Sequence, residues 1–171
     1  MDTVTAETTV FVPAEEVFEF LSDFPGYARY SSYLESVAQL GDGGEGTSYR
    51  LTLSWWKLTY PITTVVTELD PPHSIHWKTT SAIDAAGSWQ VEPIYAEGEA
   101  PETQVTLTIN YNTATSSVQG IDLPRFISTQ WVINRVKPLV EPEAKRIVKR
   151  IVTDLEGEER PIDLTITSQR D

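Results

Sequence analysis

Gly87-Ser88-Trp89-Gln90-Val91-Glu92-Pro93, then Thr103-Gln104-Val105-Thr106-Leu107-Thr108-Ile109-Asn110-Tyr111, then a long amphipathic stretch towards the C-terminus: these segments decide the fold. In the second of them Val105, Leu107, Ile109 and Tyr111 fall on one face, with Gln104, Thr106, Thr108 and Asn110 on the other. That alternation belongs to a sheet with one wet side. A strand pair feeding one helix, with an aromatic on nearly every inward step, describes a curved sheet wrapped around a helix with apolar space between them. The expected object is a container.

Upstream, Val4 to Val12 is rich in Thr and Val and reads as a strand ended by Pro13. Pro13-Ala14-Glu15-Glu16 opens a helix, since proline is tolerated in a first turn and acids favour the positive end of the helix dipole. Val17, Phe20 and Leu21 share one face of it. Ser22-Asp23-Phe24-Pro25-Gly26 breaks the helix, and Tyr27 to Leu34 reads as a second short one carrying Tyr27, Tyr30, Tyr33 and Leu34 at helical spacing. Val37 to Leu40 begins the next strand, and Gly41-Asp42-Gly43-Gly44-Glu45-Gly46 is a turn whose glycines permit positive φ. Thr47 to Trp56 and Leu58 to Leu69 form a tight hairpin. Strands at Ile75 to Ser81, Ser88 to Tyr95 and Thr103 to Thr113 complete a meander of about seven strands, an α+β chain with an antiparallel sheet. No glycine-rich phosphate loop follows a strand, which excludes a doubly wound nucleotide-binding fold.

After a polar loop, Leu123-Pro124 opens the last helical region. Val136, Val140, Ala144, Ile147, Ile151 and Leu155 step by three and four along one side, with Lys145, Arg146, Lys149 and Arg150 on the other. Pro138 and Pro142 each remove a backbone donor, so a kink or break is expected there, with the most regular helix from about Glu141 to Glu156. Residues 1–157 thus form the expected ligand-binding domain and 158–171 a tail. Its segment Pro161-Ile162-Asp163-Leu164-Thr165-Ile166-Thr167 alternates like a strand, and either pairs with a sheet edge or stays loose.

The 171 residues suffice for an ordinary core without staples, and there is no Cys, which removes thiol chemistry and disulfides. The formal net charge of -12 argues against nucleic acid or an anionic membrane as partner. Low Lys with abundant Asp, Glu and Thr points to a protein of a salt-loving organism. The start has no basic or apolar leader and no apolar run approaches the roughly 18 residues of a membrane span, so a cytoplasmic protein is expected.

Four local patterns carry a family likeness: Val10-Phe11-Val12-Pro13-Ala14-Glu15-Glu16-Val17-Phe18-Glu19-Phe20-Leu21-Ser22-Asp23, Glu68-Leu69-Asp70-Pro71-Pro72-His73-Ser74-Ile75-His76-Trp77, Gly87 to Pro93, and Thr103-Gln104-Val105-Thr106. In this order the chain resembles the START-like (SRPBCC) superfamily, and within it the polyketide cyclase/dehydrase and coenzyme Q-binding-like branch. The resemblance implies a helix-grip fold, with two short helices after the first strand and a cavity between sheet and long C-terminal helix. Such proteins bind lipids, sterols, polyketides or quinones there, and a minority catalyse cyclisation or dehydration. The segment after Gly157 is outside the pattern.

The candidate ligand-binding residues follow from strand parity. Tyr49, Leu51, Leu53 and Trp55 share one face, and Tyr60, Ile62, Trp77, Trp89 and Tyr111 face the same concavity, either as core or as cavity lining. A polar-tipped aromatic is awkward in a dry core and suited to a cavity wall, where its OH or NH reaches ligand or water. Tyr27 and Tyr30 close one end, as a lid or as the seat of their segment. Trp131 and Arg135, on the last helical region, complete the set. Trp56 must point away from the face that Trp55 occupies. His73 and His76 have no carboxylate or second His at ligand spacing, so no metal is expected, and no cofactor.

The reading is a carrier or accessory protein for an apolar or amphipathic small molecule. A cyclase or dehydratase using the same cavity is the rival, with Asp122, Arg125 and Arg135 as the charged groups near the mouth but no nucleophile motif or paired carboxylates to support a mechanism. A third class is a protein-interaction module, since relatives of the fold bind chaperones or ribosomes. The edge strands and tail leave a homodimer open.

Overall fold

Alternating Thr and Val residues make the first strand, and the last residues of the chain lie beside it. A computed structural model describes residues 2–55, 58–81, 84–94, 100–112 and 129–170; for Leu58, residues 129–134, Val136 and Lys137 it describes the backbone alone. Strands β1 (Asp2–Val10), β2 (Leu34–Leu40), β3 (Ser48–Trp55), β4 (Leu58–Asp70), β5 (Ser74–Thr79), β6 (Asp84–Ile94), β7 (Glu102–Asn112) and β8 (Thr165–Gln169) form one antiparallel sheet in the order β2-β3-β4-β5-β6-β7-β1-β8. The deciding pair lies in register with Trp89 opposite Leu107 and Val91 opposite Val105. Register shifts between Leu34 and Ser36 and between Val66 and Glu68 supply bulges, which bend strands and sharpen their twist. The expected glycine turn is present: Gly41, Gly43 and Gly46 have φ of 140°, 97° and 83°, leading the chain from β2 into β3.

Helix α1 (Ala14–Ser22) starts after Pro13, with Glu15 and Glu16 in its first turn, and buries Ala14, Val17, Phe18 and Leu21. Phe20, expected on that face, packs only partly against it. The second short helix differs from the expectation over Tyr27 to Leu34. It is a 3-10 turn over Phe24–Arg29, and Leu34 already pairs with Leu53 in the sheet. The cause is at its C-terminal end, where the Arg29 and Tyr30 carbonyls accept guanidinium N–H groups from Arg150 and Arg146 instead of backbone amides of a further turn.

Helix α2 runs from Thr129 to Glu156 with Pro138 and Pro142 inside it, so of the kink or break expected at the prolines, the break does not occur. Each proline removes one bond of a long ladder, and the rest of the 28-residue helix bridges the gaps. Of the expected stripe, Leu155 packs against the core, but Val152, outside that stripe, is the most deeply buried residue of α2's described side chains, flanked by Val148 and Leu155, and Val140 is 56% exposed. Positions 148, 152 and 155 are spaced by four and three, so they form the centre of the face that Ile147 and Ile151 only flank. Gly157, with φ 81°, ends the helix, its N–H donating to the Thr153 carbonyl at 2.9 Å. Of the two readings of the tail, strand pairing is realised: β8 lies antiparallel to β1, with Thr5 opposite Thr167, which makes eight strands rather than about seven.

The core collects Val10, Val12, Val17, Phe18 and Leu21 from the first third of the chain, with Val66, Ile75, Val91 and Val105 from the sheet and Val152 from α2.

Candidate functional site

Beyond that core the concave face opens into a cavity of about 290 Å³. Strand parity builds its wall, as residues two apart on a strand face one side. Tyr49 and Leu51 come from β3, Ile62, Thr64 and Val66 from β4, Trp77 and Thr79 from β5, Ala85 and Trp89 from β6, and Leu107 from β7. The 3-10 turn adds Phe24 and Tyr27. The Phe24 ring packs 4.6 Å from Tyr49 and 5.2 Å from Tyr27, the latter edge to face, so aromatics tie the turn to the sheet.

The polar atoms of this wall are largely turned onto the protein. Thr79 Oγ1 donates to the Ala85 carbonyl at 3.1 Å and accepts from the Ala85 N–H at 3.0 Å, while Thr64 Oγ1 donates to the Tyr49 carbonyl at 3.5 Å. The Tyr27 hydroxyl donates to the Leu21 carbonyl, and its oxygen also takes a hydrogen bond from the Trp89 side chain. What these groups leave facing the space is methyl, methylene and ring carbon, a surface that favours apolar guests. Burial pushes the Tyr27 phenol far above the ordinary tyrosine range, and the Asp23 charge adds to it against the Trp89 bond. Tyr49 is raised by burial first and by Asp23 and Asp42 second, and Tyr60 by burial. These tyrosines stay neutral hydroxyls at physiological pH.

Residues 1–152 match the sequence model of the family described as polyketide cyclase / dehydrase and lipid transport. The chain belongs to that family. Its fold is the helix-grip of the START-like superfamily, which it shares with solved structures of low sequence identity. An aromatase/cyclase, Zhui, from Streptomyces sp. R1128 is 22% identical, with 91% of this chain and 94% of that one covered at a TM-score of 0.65. A START superfamily protein from Mycobacterium smegmatis is 14% identical, covering 91% and 99% at 0.62. A truncated norcoclaurine synthase from Thalictrum flavum is 15% identical, covering 94% and 96% at 0.59. No curated protein sequence matches the chain. Strand β8 lies beyond the span that matches the cyclase/dehydrase and lipid transport family.

Among the residues singled out from the sequence of this family member, Tyr27, Tyr49, Leu51, Ile62, Trp77 and Trp89 meet at the cavity. Leu53, Trp55 and Tyr60 stand further along the β3–β4 hairpin, half-buried and outside the lining, with Leu53 opposite Tyr60. Tyr111 is half-buried opposite Ala85. Tyr30 is placed away from the cavity: it packs edge to face on Phe20, donates its hydroxyl to Asp154 at 2.7 Å and lies under the Arg150 guanidinium, so it seats the turn on α2. Burial and the Asp154 carboxylate raise its pKa. Arg135 is exposed, and the Trp131 side chain, Trp56, Asp122 and Arg125 lie outside the described residues. Among the described residues the cavity lining contains no Asp, Glu, His, Lys or Arg, no cluster of His, Cys, Asp and Glu suits a metal ion, and no helix is long and apolar enough to cross a membrane.

Sequence reasoning passed over Phe24, Thr64, Val66, Thr79, Ala85 and Leu107. Leu107 carried a usable signal, as the neighbour of Val105 and Ile109 in the alternation that decides the fold. Thr64 and Thr79 share the parity of Ile62 and Trp77, but only the pairing shows that their hydroxyls turn to the backbone and leave a methyl facing the space.

Proposed function

We propose that the protein binds a hydrophobic or amphipathic small molecule, of lipid, quinone or polyketide-like character, in the 290 Å³ cavity, acting as a carrier or accessory protein in the cytoplasm. The observation that carries this reading is the wall itself, carbon-rich and with its threonine, Tyr27 and Trp89 polar atoms already bonded within the protein. Burying about 300 Å² of apolar ligand surface contributes roughly 7 kcal/mol, and association costs at least about 4 kcal/mol. Shape alone therefore gives weak binding.

Native mass spectrometry with lipid extraction, on protein purified from its own cytoplasm, tests the reading. A retained apolar molecule of defined mass is expected; an empty protein that also fails to take up any apolar probe overturns it. The family's description and the likeness to an aromatase/cyclase motivate a second reading, a cyclase or dehydratase using the same cavity. Tyr49→Phe separates the two, since a carrier keeps binding and an enzyme loses turnover sharply. The charge of -12 further suggests adaptation to concentrated salt, which loss of structure on dialysis from molar to low salt would support.

A further inference from the structure

Between Ala85 and Trp89, on the same face of β6, stands a residue with no side chain. Gly87 is the direct cross-strand partner of Trp77. A Cβ placed on Gly87 would lie 2.3 Å from Cζ2 and 2.7 Å from Cε2 of the Trp77 indole, and 2.9 Å from the Thr108 carbonyl oxygen. Carbon atoms pack at about 3.5–4.0 Å, so the indole occupies the volume that any other side chain at 87 would need. Strand side chains ordinarily stand roughly perpendicular to their sheet. Trp77 instead leans across the neighbouring strand and covers its glycine. Because Trp77 also lines the cavity, an upright indole would rise into the 290 Å³ space.

We propose that Gly87 and Trp77 together set the depth of the cavity and so the size of ligand it admits: the indole lies down because residue 87 is glycine, and its free face becomes the floor. The proposal rests on the ligand-binding reading above and adds its size-determining residues. A flat ring system stacks on such a floor in the offset geometry that aromatic pairs prefer, which suits fused-ring probes to the test. A purely structural role, an aromatic shielding a glycine in a strand, changes stability without changing which ligand fits.

The test uses 2-naphthol and 1-hydroxypyrene, which carry the same hydroxyl on two and four fused rings, titrated into the full chain by probe fluorescence, with circular dichroism checking the fold. The wild type is expected to prefer 2-naphthol. Gly87→Ala, which turns the indole upward, weakens 2-naphthol by at least about tenfold, and adding Trp77→Leu to it restores that binding. Trp77→Leu alone deepens the floor and moves the preference at least about tenfold towards 1-hydroxypyrene, with Trp77→Phe shifting it less in the same direction. If Gly87→Ala does not fold, because the Thr108 oxygen cannot yield, the two Trp77 variants decide. Probe binding with the same preference in wild type, Trp77→Leu and Trp77→Phe overturns the proposal and leaves the binding reading standing. A wild type that binds neither probe overturns the proposal, and the binding reading falls with it only when the purified protein is also empty and takes up no other apolar probe.

Discussion

Ile75 and Ile62 are the same residue on the same concave face of the neighbouring strands β5 and β4, and their surroundings have opposite character. Ile75 has no exposed surface and sits among Val17, Val66, Val91, Val105 and Val152. Ile62 is half-buried and lines the cavity with Leu51, Trp77 and Trp89. The filled end is made mainly of short branched aliphatics, joined by Phe18, which the sheet, α1 and α2 bring together in close packing. At the other end large flat residues pack against one another at steep angles, as Phe24 does on Tyr49 and Tyr27, and line open space. One sheet thus supplies both stability and a hollow, and Tyr49 and Val66 stand at the boundary, buried in the core cluster and also lining the cavity.

The largest effect that tests this contrast comes from truncating the two isoleucines. Ile75→Ala removes atoms from a filled site and leaves a new void, an expected loss of about 4 kcal/mol. Ile62→Ala only enlarges a space already present, so the transfer loss stands without a full cavity term and about 2 kcal/mol or less is expected. Urea unfolding of both variants measures the difference. Equal losses would mean that the cavity end is packed as tightly as the core.

Next in size is the fastening of the filled end. Glu156, its side chain 5% exposed, accepts Arg160 Nε at 2.7 Å and Nη2 at 2.9 Å, and the Phe11 amide at 2.9 Å. Arg160 also donates to the Thr9 carbonyl at 2.9 Å and lies 4.2 Å over the Phe11 ring, so one ion pair joins the end of α2, the end of β1 and the tail. Glu156→Gln is expected to cost about 2 kcal/mol at neutral pH, as hydrogen bonds to a charged group are weakened or lost. The Arg160 bonds hold the Glu156 carboxyl below its ordinary value of 4.5. A depressed folded-state pKa gives stability that is present above the unfolded value and lost as pH falls through the folded one. The wild type should therefore lose its advantage over Glu156→Gln between pH 4.5 and more acid conditions, and a constant gap across that window would show that charge is not what fastens the tail.

How far these regions were legible differs in the same way. Period-two alternation in Val105 to Tyr111 and the Pro13-Ala14-Glu15-Glu16 helix start are local signals, and the strands and α1 stand where such signals put them. The 3-10 turn was misplaced because its end is set by Arg146 and Arg150, more than a hundred residues away. The centre of the α2 stripe lies beside the expected one because Val152 is chosen by what packs against it, and a pattern of Val and Ile at neighbouring positions has no unique centre. At the cavity, parity brought Tyr49, Leu51, Ile62, Trp77 and Trp89 together, yet parity says nothing about depth. That depends on a cross-strand register, Trp77 opposite Gly87, which no spacing within either strand reveals.

The smallest expected effect lies at the cavity end, in the Tyr27 hydroxyl. Tyr27→Phe deletes the donor to the Leu21 carbonyl and the acceptor for Trp89 while keeping the ring against Phe24, so a loss of about 1 kcal/mol at neutral pH is expected. Its pH dependence has the opposite sign to that of Glu156. Burial raises the folded-state pKa of Tyr27, so its contribution is complete below the ordinary tyrosine value of 10.0 and declines as pH rises above it, because the unfolded chain ionises first. The wild type and Tyr27→Phe should therefore converge in stability above pH 10.0, measured by urea midpoints through the alkaline range. A gap that stays constant there would mean that the hydroxyl reaches water, and that the turn carrying Phe24 and Tyr27 is open to solvent rather than a sealed part of the wall.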